Sequence, residues 1–385
     1  MRPSTLTRRA ALAGALCMAP ARAPARAEAL RFGQSAPLTG PAQHLGIEYQ
    51  RGIRMAFEEA NAQGGHFGRR LELLAFDDQY EPAVAIGNTR DMLAAAQVFG
   101  LIGYVGAECC MRCLPLAERA GVPFVAPLTG AMALRRDPAR GVFLLHPGDD
   151  TETLLIARAL ATIEFRRSAV LCQDDADGGA ALQSLGRSLA AAGLPAPAAV
   201  VAIGRNATAR IDPSTREIDG AVRRLLAAAP QAVVCLSAYA TTAAVLGGLR
   251  ARRYAGGCYA TSLSSAAALG PLLGPFAAGV SVTQAVPSPF DLSRPLVADY
   301  RRWLAATGAA APEYVSLEGW IAGRLTVEAL RRAGAAATRE RFVLAMESLG
   351  GAELGGLPLR WDAVHRQFGL PVGLTVLDPQ GRPRA

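Results

Sequence analysis

The sequence predicts an α/β protein built from two doubly wound parallel-sheet lobes, and two observations carry that expectation. Between positions 101 and 136 two short apolar runs, 101–104 and 122–126, each break at a loop rich in glycine or proline before the chain turns away. The first loop leads into helix-forming residues, so this stretch has the strand-loop-helix rhythm of a parallel sheet. The same rhythm begins afresh near Asp149. Each strand-helix-strand unit needs a right-handed crossover to rejoin its sheet, so a second lobe is the economical arrangement. A length of 385 residues suits about two domains.

Taken in order, residues 30–36 form a first strand that Pro37 to Pro41 turns into a loop. A helix over 46–62 follows, in which Tyr49, Ile53, Ala56, Phe57 and Ala60 recur at spacings of three and four and share one face. Gly64 and Gly65 end it. Residues 71–76 form strand two, closed by Asp77-Asp78, and Pro82 opens the next helix where its missing N–H costs nothing. Further strands fall at 98–104, 122–126 and 142–146. The second series places strands at 168–172, 198–203, 232–237 and 257–261, with helices starting near Gly178, Ser214, Thr241 and Ser264. After a strand at 279–285 the order changes. Val286-Pro287-Ser288-Pro289 is stiff and extended, and helices follow near 291–307, 313–333 and 338–349. Two strands, 357–361 and 371–377, flank a turn at 365–367. Three helices and two strands make a poor third domain, so the chain is expected to return to lobe one and then to lobe two. The division is 28–146 plus 287–355 for lobe 1 and 147–286 plus 356–385 for lobe 2.

The formal charge of +8 includes 40 basic residues, all arginine. Residues 1–27 hold five of them and no acid, which leaves 35 against 32 acids, or +3, in the remainder. That is no nucleic-acid footprint. The same 27 residues read as an export signal: Arg8-Arg9 precede the apolar stretch 10–19, and Ala25-Arg26-Ala27 supplies a cleavage point. Thr7-Arg8-Arg9 resembles a twin-arginine signal, with general secretion the other route. Cys17 follows Leu16, a poor fit to a lipid-anchor site. Of the six remaining cysteines, Cys172, Cys235 and Cys258 sit in apolar runs as small hydrophobes. Cys109, Cys110 and Cys113 contain a C-x-x-C at a helix start, a pattern able to do redox chemistry or hold soft metals. Packing with a local disulfide is the alternative.

No nucleophile elbow, H-E-x-x-H or Walker loop is present, and the four histidines are scattered. The acid pairs Asp77-Asp78, Asp149-Asp150 and Asp174-Asp175 follow strands, where capping the next helix is the ordinary role. An enzyme has little to stand on and no cofactor is implied. A binding protein has more. In doubly wound sheets a small molecule sits beyond the carboxyl ends of the strands, where loop amides face an anion. Gly106, Thr129 and Gly130 lie at such ends. Two lobes would face each other through residues 34–39, 104–108 and 127–130 on one side and 173–177, 237–242 and 262–265 on the other. Tyr104 or Tyr239 would offer a ring to stack on the ligand.

Several segments then match a known family: FGQSAPLTGPAQHLG (32–46), EEANAQGGHFGRRLELLAFDD (58–78), GYVG (103–106), AERAGVPFVAPLTGAMALR (117–135), AVVCLSAYATTAA (232–244) and YVSLEGWIAGRLTVEALRRAG (314–334). The chain resembles the branched-chain amino-acid (Leu/Ile/Val) type of periplasmic solute-binding protein, the type I periplasmic binding fold. The resemblance implies two lobes joined by three crossover strands that close on a small ligand, in a periplasmic monomer serving an ABC permease and ATPase. It also implies that the ligand carboxylate meets the loops Val105-Gly106-Ala107-Glu108 and Pro127-Leu128-Thr129-Gly130, with Thr129 and the amides of Ala107 and Gly130 as the anion end. A second-lobe tyrosine aligns with Tyr239, and a first-loop aromatic position falls near Leu45. The family's acid for the substrate ammonium falls near Ser262, and a family tyrosine is replaced at Asp177. Asp175 or Asp177 would then pair with an ammonium, or the ligand is an amide or aromatic acid without one. Two other classes stay open: a sensor subunit of the same fold, and a redox protein working through Cys110 and Cys113.

Overall fold

A computed structural model describes residues 28–204, 216–308 and 311–384. The export signal and the expected helix start at Ser214 lie outside the described residues. In chain order the first lobe runs β1 (Leu30–Ala36), α1 (Gln43–Ala62), β2 (Leu71–Asp77), α2 (Pro82–Ala94), β3 (Gly100–Ile102), α3 (Ala107–Arg119), β4 (Phe124–Val125), α4 (Ala133–Arg136) and β5 (Val142–Phe143). The second runs α5 (Asp149–Thr162), β6 (Ser168–Gln173), α6 (Ala176–Ala191), β7 (Ala199–Ile203), α7 (Arg216–Ala227), β8 (Ala232–Leu236), α8 (Tyr239–Ala251), β9 (Gly257–Ala260), α9 (Ala266–Leu273) and β10 (Val280–Gln284). Then follow α10 (Pro295–Ala306), α11 (Tyr314–Ala333), α12 (Arg339–Glu347), β11 (Glu353–Leu354), β12 (Leu357–Pro358), β13 (Arg360–Asp362), β14 (Gln367–Gly369), β15 (Gly373–Leu377) and β16 (Pro383–Arg384).

One sheet is parallel throughout, in the order β2-β1-β3-β4-β5. The other has the order β16-β15-β10-β9-β8-β6-β7, with β15 and β16 antiparallel at one edge. Side chains alternate across each sheet as a period of two requires. Ile102, Val125 and Phe143 face one core of the first sheet, while Leu101, Phe124 and Val142 face the other. In the second sheet Leu171 and Val233 point one way, Val170 and Val234 the opposite way. Helices therefore cover both faces of both sheets.

The strands expected at 98–104 and 122–126 shrink to three and two residues. Gly103 (φ +69°) and Ala126 (φ +46°) leave the extended region and turn the chain out of the ladder. The strand expected at 357–361 splits. Gly355 and Gly356 make a tight β11–β12 hairpin, and Arg360–Asp362 pairs with Gln367–Gly369 across a turn in which Asp362 accepts from the amides of Val364 and His365. Leu357, Leu359 and Phe368, assigned to lobe 2 from sequence, bury in the same core as Phe143 and Trp320 of lobe 1. Helices α10 to α12 belong to that core too.

The tightest helix pair is α1 with α11. A Cβ at Gly52 would stand 2.0 Å from the Ser316 carbonyl oxygen, and one at Gly319 would stand 2.2 Å from that of Tyr49. Three passages join the lobes side by side. The amide of Leu144 donates to the Arg366 carbonyl (2.9 Å), Phe368 donates back to Leu144 (2.8 Å), and Gln284 pairs with Gly373.

Candidate functional site

The loops after β3 and β4 meet those after β6, β8 and β9 across the gap between the lobes. The cavity between them, partly open to solvent, offers about 70 Å³ to the centres of water-sized molecules, several times the roughly 10–15 Å³ that one water requires. From lobe 1 it is lined by Leu45, Tyr80, Val105, Gly106, Ala107, Thr129, Gly130 and Ala131; from lobe 2 by Asp149, Thr153, Gln173, Asp177, Ala180, Leu236, Ser237 and Thr261, among others. Gly106 starts α3 at φ +88°, and a Cβ there would collide with the Tyr80 ring at 2.5 Å, so the loop can approach the cavity only as glycine.

Contacts bridge the lobes around this cavity. The Glu108 amide in the first turn of α3 donates to Asp177 Oδ2 at 2.9 Å. At the rim the His44 amide donates to the Tyr239 hydroxyl at 3.4 Å, with the two rings edge to face. The Asp149 amide donates to the Gly130 carbonyl at 2.9 Å. Burial and the nearby Glu152 push the Asp149 carboxyl up to about 6, with Arg135 and His146 opposing them.

Of the residues singled out from sequence, Gly106, Ala107, Thr129, Gly130 and Asp177 line the cavity. Glu108 contributes its amide, and Tyr239 stands at the rim. Four others do not face the cavity. Tyr104 is fully buried inside lobe 1, its hydroxyl 2.8 Å from that of Thr89 and its ring against Phe124, because Gly103 turns the chain just before it. Leu128 is core, donating its amide to the Tyr104 carbonyl. Asp175 caps α6 through the amides of Asp177 and Gly178. Ser262 turns its hydroxyl to Glu152 (2.9 Å) and His146 (3.3 Å). Gln34, expected on the cleft wall, instead donates to the Gly103 carbonyl inside lobe 1. Tyr80 and Asp149 were missed. Asp149 was readable as a cap, and it opens α5 directly after the first passage between lobes, which is what brings it to the cavity.

Behind the cavity lies a buried charge cluster. His146, in the first passage, places Nδ1 2.9 Å from Glu318 Oε1 of α11 and Nε2 3.4 Å from Glu152 Oε1 of α5. Burial disfavours the imidazolium, but the two carboxylates outweigh it and hold its pKa up at about 10. Glu152 also accepts from the Ser262 amide and from the Thr283 hydroxyl, and despite its burial its carboxyl is held below the usual range.

The cysteines argue against redox work. None of the six described cysteines forms a disulfide, and all six are buried. Burial pushes Cys110 well up and Cys113 up to about 11, whereas a reactive thiol needs the reverse. With residues 1–27, and so Cys17, removed, Ellman's reagent is therefore expected to leave the native protein unmodified and to react only after denaturation. Rapid labelling of Cys113 in the folded protein would contradict this.

A family model described as periplasmic binding protein matches residues 29–382. Over 102 residues the chain is 35% identical to Leu/Ile/Val-binding protein homolog 7 of Brucella abortus (strain 2308). That alignment covers 26% of this chain and 25% of the relative, so the chain spans about a quarter of the length of the curated relatives it matches. A possible leucine/isoleucine/valine-binding protein from Rhodopirellula baltica SH 1 superposes with a TM-score of 0.84 at 28% identity, covering 94% of this chain and 98% of that one. An ABC transporter solute-binding protein from R. palustris, solved in complex with benzoate, shares the fold at a TM-score of 0.79 and 19% identity, over 92% and 95% of the two chains. The chain belongs to the periplasmic binding protein family, in the two-lobed type I form shared with Leu/Ile/Val-binding proteins.

Proposed function

We propose that this protein is an extracytoplasmic receptor that captures a small polar solute between its lobes and delivers it to the permease and ATPase subunits of an ABC importer. In this reading it is exported by residues 1–27, acts as a monomer and catalyses nothing. Lobe 1 comprises 28–146 and 287–369, and lobe 2 comprises 147–286 and the chain from 370 onward. One observation carries the reading: the cavity takes its walls from both lobes, so only the closed form touches a solute on all sides. The solute then shifts the population toward closure, and each hydrogen bond it makes strengthens as water leaves. Names of relatives bracket the solute's size between a branched amino acid and a small aromatic acid.

A thermal-shift screen over amino acids, amides, aromatic acids and amines tests this. A ligand at a hundred times its dissociation constant is expected to add about 2.7 kcal/mol, and small-angle scattering is expected to report a more compact protein. If no class in the screen moves either readout, the receptor reading fails. Ala180→Trp, which fills the cavity from α6, is expected to abolish the shift in a protein that is still folded by circular dichroism. Undiminished binding by that variant would place the site elsewhere.

A further inference from the structure

We infer that Arg135 is a positioning residue: it ties the cleft-facing loop formed by Thr129, Gly130 and Ala131 to two of the three passages between the lobes, so that the cavity wall and the lobe angle move together. That this loop meets a solute rests on the receptor reading above. The tether itself rests on hydrogen bonds within the chain.

Thr129, Gly130 and Ala131 line the cavity, and each of their carbonyls is held by a group close to the passages. Arg135, in the one-turn helix α4 that follows, donates from Nη1 to the Ala131 carbonyl at 2.8 Å and from Nη2 to the Thr129 carbonyl at 3.2 Å. The Gly130 carbonyl accepts from the amide of Asp149, the residue that opens α5 in the other lobe. The same guanidinium then reaches the passages. Its Nη2 also donates to the carbonyl of His146 at 2.5 Å, and its Nε donates to Gln367 Oε1 at 3.0 Å, in β14, from which the chain crosses to β15 of the second sheet. Gln367 closes the figure by donating from Nε2 to the His146 carbonyl at 3.5 Å. A Cβ at Gly148 would stand 3.1 Å from Arg135 Nε, so the start of α5 packs directly on this side chain.

The chemistry of arginine makes these bonds one linkage. The carbonyls of Thr129, Ala131 and His146 lie outside the strands, and buried carbonyls need donors. Arg135 is 2% exposed, and its planar guanidinium presents donors at fixed angles. In a close-packed interior such a fork cannot slide without breaking a bond. A solute that shifts the loop therefore displaces His146 and Gln367, and rotation of the lobes about those residues displaces the loop. Burial lowers the Arg135 pKa to about 10, with Asp149 and Glu152 opposing the fall, so the fork stays charged at neutral pH.

The test uses the full protein and no solute. Nitroxides on Arg119→Cys of α3 and Gln183→Cys of α6, both exposed positions, report the separation of the lobes by pulsed electron paramagnetic resonance. Hydrogen exchange follows the amides of 129–132, 144–149 and 366–368. In Arg135→Met the width of the distance distribution is expected at least to double. All three amide groups are expected to exchange at least tenfold faster, while those of β6 and β8 stay within about twofold of the wild type. Arg135→Lys, which keeps the charge but loses the fork, is expected to resemble Arg135→Met. Gln367→Met cuts the tether at its far end and is the milder variant; it is expected to speed exchange of the 129–132 amides at least threefold. An unchanged distance distribution in a variant with a lowered Tm would reduce Arg135 to a structural role. Full rescue by lysine, or a Gln367→Met effect confined to the passages, would equally overturn the inference. Each of these failures would leave the receptor reading standing, and a silent ligand screen would end that reading without altering these results.

Discussion

Replacing His146 by leucine is expected to destabilise the protein by about 3–5 kcal/mol, the range for removing one partner of a buried ion pair. The histidine is 1% exposed and lies between Glu318 of one lobe and Glu152 of the other. Without it two carboxylates remain in the interior with no cation between them. The same geometry sets a pH dependence. The folded pKa near 10 lies above the ordinary 6.5, so the stabilisation is complete below about pH 6.5 and is lost as pH rises through 10. Glu152 works in the other direction: its carboxyl is held below 4.5, so its contribution is present above that value and is lost in acid. Urea unfolding at intervals from pH 6 to pH 10 should show the wild type losing stability over that span and the gap to His146→Leu narrowing. A gap that stays constant across the span would mean that His146 is neutral in the folded protein.

Gly52→Val is expected to cost about 3 kcal/mol, the upper end of the overpacking range. What a side chain would strike here is the Ser316 carbonyl oxygen at 2.0 Å, with the Trp320 backbone nitrogen at 2.4 Å. Backbone cannot rotate aside as a flexible side chain can, so α1 and α11 would have to separate and loosen the core around Trp320 and Tyr49. Gly64→Ala, at the exposed end of α1 where nothing lies within 4 Å, is the control for backbone strain alone because its φ is +100°. If the two variants melt together, close helix packing is not what holds α1 in place.

Much of the architecture was readable because most strands of the two parallel series are apolar runs followed by small, turn-forming or acidic residues. The residues just past those ends, Gly106, Ala107, Thr129, Gly130 and Asp177, followed from position alone, since a strand's carboxyl end decides which loop meets the cleft. Direction was not readable. Tyr104 is next to Gly106 in the same loop, yet the +69° turn at Gly103 sends its ring into the interior toward Thr89 and Phe124. Ser262 begins a short 3-10 turn that rotates its hydroxyl onto Glu152. The strand expected at 357–361 divides because the two- and three-residue pairings at β11 to β14 are too short to leave a periodic signal, whereas the one expected at 371–377 is β15.

The sequence by itself determined the two sheets' parallel strands, the repeat of strand and helix, and the strand-end loops that would face each other, because these depend on local apolar patterning and turn chemistry. The tertiary structure alone decided which carboxylates enter the cleft. Asp149 and Asp177 lie on separate helices, and Glu152, His146 and Glu318 span more than 160 positions of chain. No local pattern records that Glu152, His146 and Glu318 will be buried together. Their charges interact strongly only because folding has removed the water between them.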